Sequence, residues 1–173
     1  MGNFYETIST NTQKFVNQQE VFWVASAPLS SEGRVNVSPK GTTLVVKEND
    51  ETYQEYKVFW VLSENKVAYL DFFGSGVETL SHLRESNNGR ITLQFNAFEG
   101  SPRIIRLFGH GKAYDVDSPE FLEVLPPDLK NHVDKLAWRE RQNYLRRVLS
   151  STLIVKHVAN PSMGFLHIHT SNI

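Results

Sequence analysis

The sequence predicts a mainly β domain, an antiparallel barrel of roughly six to eight short strands carrying a few short helices. Short apolar or alternating runs recur along the chain, separated by turns rich in Gly, Pro, Asn and Ser. A helical period intrudes between the fourth and fifth of these runs, without the strand–helix alternation of a parallel sheet. The 173 residues are 40% hydrophobic and 12% aromatic, enough for one buried core, so residues 1–173 are expected to form a single domain.

The strands follow in order. Val21 to Ala27 is a compact apolar run, ended by Pro28 and a Ser-Ser-Glu-Gly turn, and Gly33 to Ser38 reads as its hairpin partner, stopped by Pro39 and Gly41. The polar stretch Lys47 to Lys57 reads as an insertion around Asn49-Asp50-Glu51. Val58 to Leu62 and Val67 to Asp71 are strands across the turn Ser63-Glu64-Asn65-Lys66. Leu80 and Leu83 lie three apart, which predicts a short helix over Glu78 to Arg84, stopped by Asn87-Asn88-Gly89. Arg90 to Phe95 alternates strictly, Arg103 to Tyr114 continues as a long strand bent at Gly109 or Gly111, and Ser118-Pro119-Glu120 starts a helix with Ser as cap and Pro at the first position. Pro126-Pro127 ends that helix. Leu136 to Leu149 is predicted helical, and Leu153 to Val158 is a final strand.

Composition narrows the function. A net charge of -1 offers no global field for nucleic acid, and Arg139, Arg141, Arg146 and Arg147 read as a solvated helix face. The absence of cysteine excludes disulfides, thiolate metal sites, iron–sulfur clusters and a cysteine nucleophile. The polar opening from Met1 to Thr12 has no apolar signal core, and no apolar run approaches the ~20 residues of a membrane helix, so a cytoplasmic protein is expected. In that compartment the sequon Asn36-Val37-Ser38 is accidental.

Two segments carry polar chemistry. In Asp71-Phe72-Phe73-Gly74-Ser75-Gly76-Val77-Glu78-Thr79 a strand ends, glycines allow close backbone approach, and a helix begins. Free N–H groups there can meet an anion, with Ser75 and Thr79 adding hydroxyls. A turn in which Ser75 or Thr79 caps the helix explains the same residues, and no Gly-Lys-Ser/Thr ending makes it a P-loop. On the strand before it, Arg34, Asn36 and Ser38 share one face and Lys40 follows. That face meets either a ligand or solvent. His167 and His169 would share a strand face, with His157, His132 or His110 as a possible third ligand, but an incidental tail motif is the plainer reading and no metal is assigned. No Gly-x-Ser-x-Gly elbow supports hydrolase chemistry.

Taken together, Phe22 to Leu29, Val35 to Gly41, Ala68 to Thr79, His82-Leu83-Arg84-Glu85, Gly89 to Thr92, Phe95 to Gly100 and Arg103 to Gly109 resemble the pyridoxamine 5′-phosphate oxidase-like FMN-binding split-barrel family. The resemblance spans about residues 20 to 115 and is nearest to the oxidase-related, uncharacterised branch. It implies a six- to eight-stranded antiparallel split β-barrel with Greek-key order, a homodimer, and FMN in a groove between the subunits. It further implies that Ser38, Lys40, Ser75 and Thr79 meet the phosphate or flavin edge, with Gly74, Gly76 and Glu78 in the same loop. Asn36 would face the isoalloxazine edge. Gln94 or Asn96 would approach from the facing strand of the dimer, and Arg106 would add a cation. The implied function is that of a flavin-dependent oxidoreductase acting on an unknown small molecule, with no catalytic residue nameable; His82 is a candidate by position only and reads as a surface helix residue. The alternative is a non-catalytic module that stores or senses a flavin, a deazaflavin or haem.

The chain departs from the family pattern in three places. The basic Ser-Arg-Lys type of phosphate loop is replaced by Gly76-Val77-Glu78-Thr79, the Cys-Gly-Tyr type of ending by Pro161 to Leu166, and the segment Lys47 to Lys57 is longer than usual.

Overall fold

The computed structural model describes residues 5–47, 51–72, 76–115, 118–131 and 149–156, the last group and residues 46–47 by backbone alone. Among the described residues the elements run in the order α1 (Thr10–Asn17), β1 (Val21–Ser26), β2 (Asn36–Gly41), β3 (Thr43–Lys47), β4 (Tyr53–Lys57), β5 (Phe59–Ser63), β6 (Lys66–Phe72), α2 (Glu78–Arg84), β7 (Arg90–Asn96), β8 (Ile104–Tyr114), α3 (Pro119–Val124) and β9 (Leu149–Lys156). Seven strands form one antiparallel sheet in the order β2-β1-β7-β8-β9-β6-β5, and β3 and β4 form a separate hairpin. The last strand among the described residues, β9, thus lies between β8 and β6, the long-range return of a Greek-key arrangement. The fold is the mainly β, antiparallel one that the sequence predicts.

The sheet curls on itself, because aromatic side chains from near both of its ends meet inside. Phe22 of β1 packs on Phe59 of β5, Tyr69 of β6 and Phe95 of β7, each with ring centroids 5.3 Å apart. Phe59 also tilts against Phe95 at 5.0 Å. All four rings are buried, and Val24, Leu93, Ile105 and Leu107 extend the cluster. Truncating a buried Phe of this kind costs about 3–5 kcal/mol. At the rim, backbone bonds stitch the ends together: Thr42 N donates to Glu20 O, Val58 N to Thr42 O, and Leu70 N to Val58 O. The opposite side of β6 and the base of the hairpin share a second cluster with α3, through Tyr56, Val58, Leu70 and Phe121.

Several boundaries differ from the sequence expectation. β2 runs through Pro39 instead of stopping there. It can do so because β2 is an end strand, where a residue without N–H leaves no interior ladder bond unmade. The polar stretch read as an insertion is largely a paired hairpin, with Leu44 opposite Tyr56 and Val45 opposite Glu55. The polar opening contains α1, capped by Ser9, whose Oγ accepts from Thr12 N, and anchored by buried Phe15 and Val16. The strand predicted from Leu153 begins at Leu149. The predicted helix from Leu136, apart from Leu149 itself, lies outside the described residues, as do the four arginines and His132, His157, His167 and His169. No helix among the described residues is long and apolar enough to cross a membrane.

Tyr69 sits in the core with a hydroxyl that has no hydrogen-bond partner among the described residues. Burial pushes its pKa well above the ordinary value of 10.0, and the charge of Asp71 adds to the effect. Since the folded-state value is the raised one, stability is full below about pH 10 and falls as the pH climbs above it. Tyr69→Phe removes both the orphan hydroxyl and the titration. We expect the variant to unfold at the same or a higher urea concentration at pH 7, by up to about 1–2 kcal/mol. Its loss of stability above about pH 10 should be shallower than that of the parent.

Candidate functional site

Strand β2 presents alternate residues to the inside of the curl. Cross-strand partners share a face, so Asn36, Ser38 and Lys40, opposite Ser26, Val24 and Phe22, lie on the inner side. Val37 and Pro39 point outward and are exposed. These inner side chains are half-buried and polar, on a face whose floor is largely apolar.

Helix α2 docks on this face through two hydrogen bonds one turn apart. Asn36 Nδ2 donates to Thr79 Oγ1 at 2.9 Å and to Ser38 Oγ at 3.1 Å. Ser26 Oγ and His82 Nδ1 lie 2.9 Å apart in a buried pair. Thr79 and His82 are three apart on the helix, and Asn36 and Ser26 are cross-strand partners, so the two contacts match the two periodicities. Close approach on the other side of α2 needs Gly111, where a Cβ would come within 3.1 Å of Leu83 Cδ2. The loop after β1 is fastened to the end of the helix: Glu85 accepts from Leu29 N at 2.9 Å and from Asn88 Nδ2 at 2.6 Å. Those bonds lower the Glu85 pKa below its ordinary 4.5.

The second polar feature spans the opening of the curl. Lys40 Nζ on β2 is bonded to Asp71 Oδ1 on β6, near the other end of the sheet. Asp71 is largely buried and Lys40 partly so. Where the chain re-enters after Asp71 and Phe72, Gly76 and Val77 lead into α2, and the carboxylate of Glu78 folds back into the space a Cβ on Gly76 would take. The residue before the helix, Val77, makes no side-chain capping bond.

The predicted residues therefore fall into three groups. Asn36, Ser38 and Thr79 are bonded to one another on the inner side, Lys40 lies further along the same face of β2, and Gly76 and Glu78 lie where the chain enters α2. Thr79 does not cap the helix; it lies inside it and is bonded to the strand. Gln94 and Arg106 are brought together elsewhere: Arg106 Nε donates to Gln94 Oε1 at 2.7 Å, and Gln94 Nε2 to Asn96 Oδ1 at 3.1 Å. Gln94 pairs with Trp23 across the strands, so this chain of bonds runs over the outer face of the sheet, with Trp23, Pro39 and Val37. Within one protomer the two groups are on opposite sides. Gly74 and Ser75 lie outside the described residues.

Two polar residues of this candidate site, Asp71 and Ser26, were not singled out from the sequence, and the burial of a third was not foreseen. Asp71 continues the inward alternation Val67, Tyr69, and a carboxylate at that position was a signal that a cation lay across from it. Ser26 likewise continues Phe22 and Val24. His82 is not a surface residue but buried, because α2 turns its Thr79–His82 side to the sheet. No group of three or more residues able to hold a metal occurs among the described residues. Ser26→Ala would leave the buried His82 Nδ1 unpaired, and should lower stability by about 1–3 kcal/mol in urea unfolding.

Comparison with known proteins adds to this geometry. No family model matches the chain. The pyridoxamine 5′-phosphate oxidase family protein ustO of Aspergillus flavus is 42% identical over 121 residues, covering 70% of this chain. The chain spans 43% of the length of that relative. Among solved structures, a Lactobacillus delbrueckii protein provisionally assigned as a pyridoxamine 5′-phosphate oxidase superposes with a TM-score of 0.52 at 10% identity, covering 98% of each chain. HupZ of Group A Streptococcus superposes with a TM-score of 0.51 at 15% identity, covering 86% of this chain and 88% of its own. These two likenesses concern the fold. The sequence match to the Aspergillus protein makes this chain a member of the pyridoxamine 5′-phosphate oxidase-like family.

Proposed function

We propose that the chain binds FMN at the inner-face cluster and uses it as a flavin-dependent oxidoreductase on a small molecule. The observation that carries this reading is the bond from Asn36 to Thr79, which joins the polar face of β2 to the start of α2. It brings a carboxamide and two hydroxyls together, from Asn36, Ser38 and Thr79, and the ammonium of Lys40 follows along the same face of β2. That donor set suits the phosphate and polar edge of a flavin nucleotide. In this reading Ser38, Lys40 and Thr79 hold the phosphate end, with Ser75 and the backbone of Gly74 and Gly76 beside them, and Asn36 meets the ring edge. FMN, when bound, supplies hydride and electron transfer, while the chain binds and orients it and tunes the ring through hydrogen bonds.

The reading includes a homodimer. The outer face exposes Val35 and Val37 at 72% and 60%, and Phe98, which leans on Trp23, at 70%. An apolar strip of this kind is a candidate for burial against a second copy. Such pairing would let Gln94 and Arg106 of one copy reach the cofactor held by the other, although within one chain they lie behind the sheet. A cytoplasmic setting is part of the same proposal.

The test begins with colour. Protein purified with FMN should be yellow, dimeric by light scattering, and bleached by a nicotinamide donor. Yellow protein that no donor reduces would instead be the non-catalytic binding module, and protein that takes up no flavin would defeat both. Lys40→Ala with Thr79→Ala should weaken FMN binding at least tenfold, at about 1–3 kcal/mol for each lost bond. Unchanged affinity in a folded double variant would show that the phosphate lies elsewhere.

A further inference from the structure

The cation in this cluster is already engaged. Lys40 is bonded to Asp71, with side-chain exposures of 22% and 9%, so the pair is largely withdrawn from water. Glu78 places a second carboxylate over Gly76 on the way into α2. A phosphate monoester carries a charge of about −1.5 to −2 at neutral pH. To meet Lys40 it must come beside Asp71 or push it aside, and to meet the backbone at Gly76 it must come beside Glu78. Like charges close together disfavour the charged forms, and at Asp71 partial burial strengthens the repulsion. The other described donors on the inner face of one chain, Asn36, Ser38 and Thr79, are neutral and select no charge.

We propose that Asp71 and Glu78 are specificity-determining residues that screen the site against a full phosphate charge, so that it recognises its ligand chiefly through neutral hydrogen bonds and the ring. The ligand class is accordingly a flavin with little or no charge at the end of its side chain, riboflavin being the simplest probe, with FMN accepted but not strongly preferred. The inference rests on the flavin reading above and concerns what the same site selects.

The experiment compares FMN with riboflavin on the full chain, by quenching of flavin fluorescence. The parent protein should bind the two within about tenfold of each other. Asp71→Asn keeps the side-chain shape and an oxygen for Lys40 but removes the charge, and should tighten FMN about tenfold while moving riboflavin less than about twofold. Glu78→Gln, at an exposed position that folding tolerates, should shift the same ratio in the same direction. A parent preference for FMN over riboflavin above about a thousandfold would overturn the proposal. So would flavin binding in which both variants leave the FMN-to-riboflavin ratio unchanged or lower it, and that result leaves the flavin site itself standing. If the parent and both variants take up neither flavin, the flavin reading fails and this inference with it.

Discussion

The contact across the opening of the curled sheet is what the site depends on. Lys40 on one end strand and Asp71 near the opposite end form an ion pair over a floor of Phe22, Phe59, Tyr69 and Phe95. The aromatic cluster supplies the driving force, since non-directional burial alone is enough to curl the sheet. The ion pair supplies direction, because a partly buried charge left without its partner is strongly unfavourable. The polar face of β2 is thereby held opposite the point where the chain leaves β6 for α2.

Two packing rules then align α2 with that face. A strand hairpin offers side chains from cross-strand partners, and a helix offers side chains one turn apart, at comparable spacing. Ser26 and Asn36 therefore receive His82 and Thr79 as a matched set. The polar atoms of the cluster are largely satisfied by one another, which keeps the site in one arrangement before any ligand arrives. Preorganisation of this kind reduces the ordering that binding requires. It also means that an incoming anion has to compete with existing bonds, above all with the carboxylate on Lys40.

The two-sidedness of the sheet bears on function as well. Arg106, Gln94 and Asn96 form a bonded row on the outer face, level with Trp23 and not with Asn36. In a strand the alternation of side chains makes this unavoidable: residues opposite Trp23 face away from those opposite Phe22 and Val24. If both groups serve one ligand, as we propose, a second copy of the chain has to supply one of them.

Much of this was open to reading in the amino-acid sequence. The alternation of Arg90 to Phe95 and the spacing of Leu80 and Leu83 located β7 and α2, because those signals are local and periodic. The Ser118-Pro119 start of α3 was legible for the same reason: Ser118 Oγ accepts from Phe121 N within one turn. The shared face of Asn36, Ser38 and Lys40 also follows from strand periodicity alone. Sequence could not show that Pro39 lies within a strand, since only the end position of β2 makes that harmless. Nor could it pair Lys40 with Asp71 or Ser26 with His82, whose separations of 31 and 56 residues are bridged only by the curl of the sheet. Residue types and local periods determined which side chains were available; tertiary closure decided which of them meet, because charge pairing and burial act through space and not along the chain.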